Sequence, residues 1–155
     1  MNKKLLILPV IALVGFQACR NNNKSTEETT QEIKLVSPDF NADSAYAYTK
    51  AQVDFGPRIP GTAAHQKCAD YLVARLKSFG ADVKIEGEKT KTYDGKTFQL
   101  KNIVATFSPE KKERVLITAH WDARPFSDQD ADPANQNKPF DAANDGASGV
   151  AVILE

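Results

Sequence analysis

A chain of 155 residues with 20 Lys+Arg against 20 Asp+Glu has no formal net charge, which leaves none of the basic footprint that nucleic-acid binding needs. Hydrophobic residues make up 41%, an ordinary globular share. Once the polar N-terminal stretches are set aside, about 120 residues remain, enough to bury one modest core.

Residues 1–19 read as a targeting segment and stand outside the fold. Asn2, Lys3 and Lys4 supply the positive start, and Leu5 to Phe16 is apolar but shorter than the ~20 residues of a membrane span. Phe16-Gln17-Ala18-Cys19 then resembles a bacterial lipobox. The resemblance implies cleavage before Cys19, a lipid on that cysteine, and anchoring in the cell envelope of a Gram-negative-type bacterium, on its periplasmic or outer face. The alternative is an ordinary secretory peptide with an incidental cysteine. Residues 20–37 are rich in Asn, Ser, Thr and Glu, a polar tether with almost nothing to bury. With Cys19 lipidated, Cys68 has no disulfide partner, and its helical position suits a small buried hydrophobe.

Residues 38–155 carry the folded part. Asp39 to Val53 predicts a first helix, capped by Asp43 or Ser44, with Ala45, Tyr48 and Val53 on its apolar face. Two glycines and two prolines in Phe55-Gly56-Pro57-Arg58-Ile59-Pro60-Gly61-Thr62 make the next segment a shaped loop. A second helix follows from Thr62, its N-cap, to Phe79, with Ala64, Cys68, Leu72, Leu76 and Phe79 at helical spacing and Gly80 as its stop. Residues 81–88 alternate as a half-exposed strand, and Tyr93-Asp94-Gly95-Lys96 marks a hairpin turn. Phe98 to Phe107 reads as a longer strand, and the wholly apolar Val115 to Ala119 as a central strand covered on both faces. The order predicts an α/β fold, a three-layer sandwich around a mixed, mainly parallel sheet, with ligands beyond the carboxyl ends of its central strands.

His120, Trp121 and Asp122 lie at that end, after Val115 to Ala119. Side chains two apart on an extended chain share a face, so His120 and Asp122 point into one cleft. Imidazole and carboxylate suit zinc, directly or with the acid fixing the tautomer of the ring. Ala143-Asn144-Asp145-Gly146-Ala147-Ser148-Gly149 adds a second acid among small residues that let the backbone approach a ligand. Asp145 could simply cap the following helix; with His120 upstream, it reads as a metal ligand. His65, near the start of the second helix, reads as a surface or capping-turn histidine. Asp128, Asp130 and Asp132 alternate like a calcium loop, but the glycine and closing glutamate of an EF-hand are missing, so a solvated rim loop is expected.

The segments Ala119–Arg124 and Ala143–Gly149 resemble the zinc-dependent M28 exopeptidase family, and more narrowly its bacterial glutaminyl-peptide cyclotransferases. The loop Phe55–Thr62 is similar to a third family element. Residue by residue, the resemblance implies that Asp145 binds zinc, bridging two zincs in the peptidases. It makes His120 the ligand of the second zinc in two-zinc members, and Asp122 the acid that orients the site from one layer out. Trp121 and Arg124 become substrate-pocket candidates. A cis Asp145–Gly146 peptide is also suggested.

The implied reaction closes an N-terminal glutamine onto itself. Its α-amine attacks the side-chain amide, releasing ammonia and leaving pyroglutamate, on peptides with a free N-terminus. One zinc would serve a cyclase and two an aminopeptidase of the same family, the competing reading. A catalytic glutamate and the remaining ligands are expected beyond Glu155, so the chain is expected to be the N-terminal part of a longer enzyme. If 155 residues are the whole product, an inactive lipid-anchored relative or binding domain is the remaining reading.

Overall fold

The computed structural model describes residues 37–155; the expected targeting segment, Cys19 and the expected tether up to residue 36 lie outside the described residues. The first helix, α1, spans Ala42–Val53. Its cap is Asn41, not Asp43 or Ser44: the Asn41 side chain accepts a hydrogen bond from the Ser44 amide at 2.9 Å. The cap falls on the last residue with extended torsions, where a side-chain oxygen can reach the otherwise unpaired amides of the first turn. Asp43 then lies inside the first turn, where its charge complements the helix dipole.

Helix α2 spans Ala63–Ser78, and Thr62 caps it as expected, accepting from the His65 amide at 3.2 Å. Gly80 ends it with φ +88, donating to Lys77, while Ala81 donates to the Leu76 carbonyl at 3.2 Å. Only glycine takes up that left-handed torsion without a Cβ penalty. His65, Cys68, Ala69 and Leu72 form the buried face of α2, the i, i+3, i+4, i+7 stripe of an amphipathic helix. Cys68, Ala69 and Leu72 meet Trp121, Val150 and Leu154 in the core, ringed by Tyr48, Phe55, Tyr71, Leu76 and Ile103. Burial pushes the Cys68 thiol up to about 11, as befits a packing residue.

Strand β1 (Asp82–Glu86) is followed by the hairpin of β2 (Lys89–Lys91) and β3 (Thr97–Gln99), and then by β4 (Asn102–Thr106). The hairpin turn forms where expected, with the Thr92 amide donating to the Lys96 carbonyl at 2.8 Å. The predicted strand from Phe98 to Phe107 divides: β3 pairs with β2, and β4 pairs with β1, Asp82 facing Thr106 and Glu86 facing Asn102. Both pairs are antiparallel, so the mainly parallel sheet is not seen among the described residues. What stands is a mixed α/β unit.

Val115 to Ala119 departs furthest from expectation. It is assigned to no strand, and Val115, Leu116 and Ile117 are exposed. Hydrophobicity says that a segment gains from burial, but a ladder needs a partner strand in register, and none of β1–β4 pairs with this segment. With Leu76, Phe79 and Ile103, the segment lines an apolar trough of about 640 Å³. The last helix, α3, spans Ser148–Leu154 and buries Val150, Ala151 and Leu154. The fully buried Gln52 of α1 donates to the Ala147 carbonyl just before it, at 3.0 Å.

Candidate metal centre

Trp121 anchors the site. Its ring stacks on His65, with centroids 4.1 Å apart and planes 18° apart, and its indole nitrogen donates to the Lys101 carbonyl at 3.2 Å. From this anchor the chain alternates. Trp121 and Ala123 are 8% and 2% exposed, whereas the side chains of His120 and Asp122 are 57% and 46% exposed. The two-residue period therefore survives without a sheet, and His120 and Asp122 share the open face as expected. Trp121, expected at the substrate pocket, has its ring in the core cluster.

Asp145 comes to this face from the far side of the polar loop. The turn Ala143–Ala147 that carries it is kinked, with Asp145 at φ −88, ψ 85 and Gly146 at φ 104, ψ −58. The described residues contain no cis peptide bond, so the Asp145–Gly146 peptide is trans, against the suggestion of the resemblance. Gly146 lies directly beneath the imidazole: a Cβ there would sit 2.9 Å from His120 Cε1 and 3.0 Å from Nδ1. The small residues around Asp145 thus do what their sequence suggested.

The three expected residues converge. His120 Nε2 lies 3.2 Å from Asp145 Oδ1. His120 Nδ1 lies 3.3 Å from the Asp122 main-chain carbonyl and 3.7 Å from its carboxylate, so the backbone of Asp122, more than its acid, faces the ring. Both ring nitrogens therefore face oxygen acceptors. Two ligand atoms about 2.0–2.1 Å from a tetrahedral zinc lie roughly 3.3 Å apart, close to the 3.2 Å observed. His120 and Asp145 therefore fit one edge of a zinc polyhedron, and Asp145 Oδ2 points elsewhere, 4.0 Å from Arg124 Nε. Among the described residues no group of three His, Cys, Asp or Glu side chains forms a metal cluster, so this pair is a partial ligand set.

Arg124 sits at the rim, paired with Asp128 at 2.7 Å and with its guanidinium 5.5 Å from the Phe140 ring centroid. Asp130 and Asp132 accept from the Asp132 and Ala134 amides at 2.9 Å each. They cap turns of their own loop, in keeping with the rejected calcium motif.

Two residues differ from their sequence reading. His65 lies in the capping turn, its amide donating to the Thr62 side chain, but it is buried, not on the surface, because it starts the stripe that continues through Cys68 and Leu72. Burial, with help from Lys101, holds its imidazole below the usual histidine range. Arg58 was passed over entirely and is fully buried. It donates to the carbonyls of Trp121 (3.0 Å), Asp141 (2.8 Å) and Ala142 (2.9 Å). Burial lowers its pKa below the ordinary arginine value. The signal was a cation set among the prolines and glycines of a shaped loop, where a solvated side chain has little reason to sit.

Residues 102–155 match Peptidase family M28. The structure of Tannerella forsythia glutaminyl cyclase is 54% identical at a TM-score of 0.73, over 76% of this chain and 40% of that one. A Zn-dependent exopeptidase from Parabacteroides distasonis has the same identity, TM-score and coverage. A leucine aminopeptidase precursor from Bacteroides thetaiotaomicron is 49% identical at a TM-score of 0.73, over 76% of this chain and 40% of that one. The chain thus spans about two fifths of the length of these structures. In sequence and fold this chain is similar to part of the bacterial glutaminyl cyclases, and it carries a Peptidase family M28 segment.

Proposed function

We propose that the protein carrying this chain is a zinc-dependent glutaminyl-peptide cyclotransferase, converting N-terminal glutamine of peptides to pyroglutamate with release of ammonia. The observation that carries the reading is the 3.2 Å approach of His120 Nε2 to Asp145 Oδ1, in a chain 54% identical to the Tannerella forsythia enzyme. In this reading Asp145 would hold the zinc, with the His120 imidazole 3.2 Å from its Oδ1. Zinc, when bound, polarises a carbonyl and stabilises developing negative charge on its oxygen. Asp122 orients the imidazole through its main-chain carbonyl. Arg124 and Phe140 form the rim over which a peptide N-terminus enters, and Trp121 fixes the floor from behind. The complete domain would be the three-layer sandwich with a mainly parallel sheet, in which Val115 to Ala119 gains strand neighbours.

A second reading is an aminopeptidase, favoured by the aminopeptidase precursor and the Zn-dependent exopeptidase among the similar structures. There Asp145 would bridge two zincs, with His120 completing the second through the edge described above. The two are separated by incubating the full-length protein with a peptide beginning in glutamine and another beginning in leucine, with zinc counted per chain. Ammonia loss from the first peptide, with one zinc, supports the cyclase. Cleavage of the second, with two zincs, replaces it with the peptidase. Neither reaction, in a zinc-loaded protein, leaves the inactive relative. We also propose that Cys19 anchors the protein in the cell envelope; Cys19→Ser should release it from the membrane fraction, and retention would refute the lipid anchor.

A further inference from the structure

We infer that Arg58 is the positioning residue of the His120–Asp145 pair, an inference that rests on the zinc reading above. The two residues come from segments far apart in sequence, and the main-chain hydrogen bonds of the described residues do not join 120–123 directly to 141–147. Arg58 joins them instead. Its Nε donates to the Trp121 carbonyl, in the peptide that links Trp121 to Asp122, at 3.0 Å. Nη1 donates to the Asp141 carbonyl at 2.8 Å and to the Gln52 carbonyl at 3.4 Å, and Nη2 to the Ala142 carbonyl at 2.9 Å. The Arg58 carbonyl in turn accepts from the Ala123 amide at 3.1 Å, so the 121–123 segment is held at two points.

The far end of the clamp is where precision is needed. Ala142 has left-handed torsions, φ 48, uncommon for a residue with a Cβ, and it opens the kinked turn that carries Asp145. Holding the carbonyls of Asp141 and Ala142 fixes where that turn begins. Every acceptor of the fully buried guanidinium is a main-chain carbonyl, so its charge is balanced by oriented dipoles. The planar guanidinium carries five N–H donors in fixed directions. A lysine has one nitrogen on a flexible stem and cannot hold the same carbonyls at the same spacing.

The test compares Arg58→Lys and Arg58→Gln with the control Leu72→Ala in the full-length protein. Leu72 is a buried core residue whose truncation lowers stability and removes none of the hydrogen-bonding groups of the clamp. Zinc affinity is read by competition with a chromophoric chelator, metal geometry by the visible bands of the cobalt-substituted protein, and stability by thermal unfolding of the metal-free form. The expected result is a loss of about tenfold to hundredfold in zinc affinity, with shifted cobalt bands, in an Arg58 variant that still folds. Leu72→Ala should lower Tm at least as far and keep both metal readouts of the wild type. The inference is overturned if a folded Arg58→Lys binds zinc and cobalt as the wild type does, or if Leu72→Ala loses affinity in the same proportion to Tm. Failure of both Arg58 variants to fold, while Leu72→Ala folds, also overturns it, by making Arg58 a residue of the fold alone. A wild-type protein that binds no zinc removes the zinc reading itself, and this inference with it, a result distinct from the others.

Discussion

Gly146→Ala isolates the contact on which the metal pair depends. At φ +104 and ψ −58, outside the left-handed helical well, alanine bears a torsional cost of about 1–3 kcal/mol. Its methyl would also lie 2.9 Å from His120 Cε1, 3.0 Å from Nδ1 and 3.1 Å from the His120 carbonyl, crowding that costs about 1–3 kcal/mol where neighbours cannot move. The imidazole can move, since more than half of its side-chain surface is exposed. The ring should therefore swing aside, relieving its own two contacts and destroying its 3.2 Å approach to Asp145. The contact with the His120 carbonyl stays, so the stability loss settles somewhat above the torsional cost, at about 2–4 kcal/mol, with a loss of zinc binding beside it. Gly56→Ala is the matched control, with φ +86 and nothing within 4 Å of the added methyl. Denaturant unfolding of both metal-free variants, with a zinc titration of each, reads the two components apart. The reasoning is refuted if Gly146→Ala binds zinc with the affinity of the wild type.

Asp145→Asn keeps the shape of the side chain and removes the charge. Zinc affinity should fall by at least about a hundredfold, beyond the loss typical of outer partners, while the metal-free protein unfolds almost as before because the pair is half exposed; calorimetric titration and thermal unfolding check both. Burial and Lys101 lower the pKa of His65 in the fold. A lowered folded pKa places its stability contribution above the ordinary value of 6.5 and removes it as pH falls below that value. The His65→Phe variant, which keeps a ring against Trp121, should flatten that part of the stability profile, and an unchanged slope would exclude His65 as its source. Cys68, buried and with its thiol pushed up to about 11, should resist a thiol reagent at neutral pH until the chain is unfolded; rapid labelling of the native protein would contradict the core described here.

Much of this site was readable one residue at a time, because short-range rules govern it. The two-residue alternation puts His120 and Asp122 on one face even where no sheet forms. The glycine-rich run around Asp145 announces a close approach, and the structure supplies its object, the His120 ring. Arg58 and His65 were misjudged for one reason: their roles depend on segments more than 50 residues away, and a single position in a loop or first helical turn does not reveal which distant backbone it meets. Asn41 is a smaller case of the same kind, since three polar residues near a helix start compete and the torsions decide which one caps it.

The sequence by itself determined the local elements: α2 with its Thr62 cap and Gly80 stop, the hairpin at Asp94-Gly95, and the chemical types of the metal pair. Periodicity, capping and turn chemistry act within a few residues, so they can be read without knowing what lies opposite. Tertiary structure alone decided the partners. It split the expected long strand between two antiparallel pairs, left Val115 to Ala119 without a ladder, and brought His120 within reach of Asp145 through the carbonyls that Arg58 holds. Strand pairing and buried-charge solvation depend on which backbone groups lie opposite one another, and that is a property of the assembled chain.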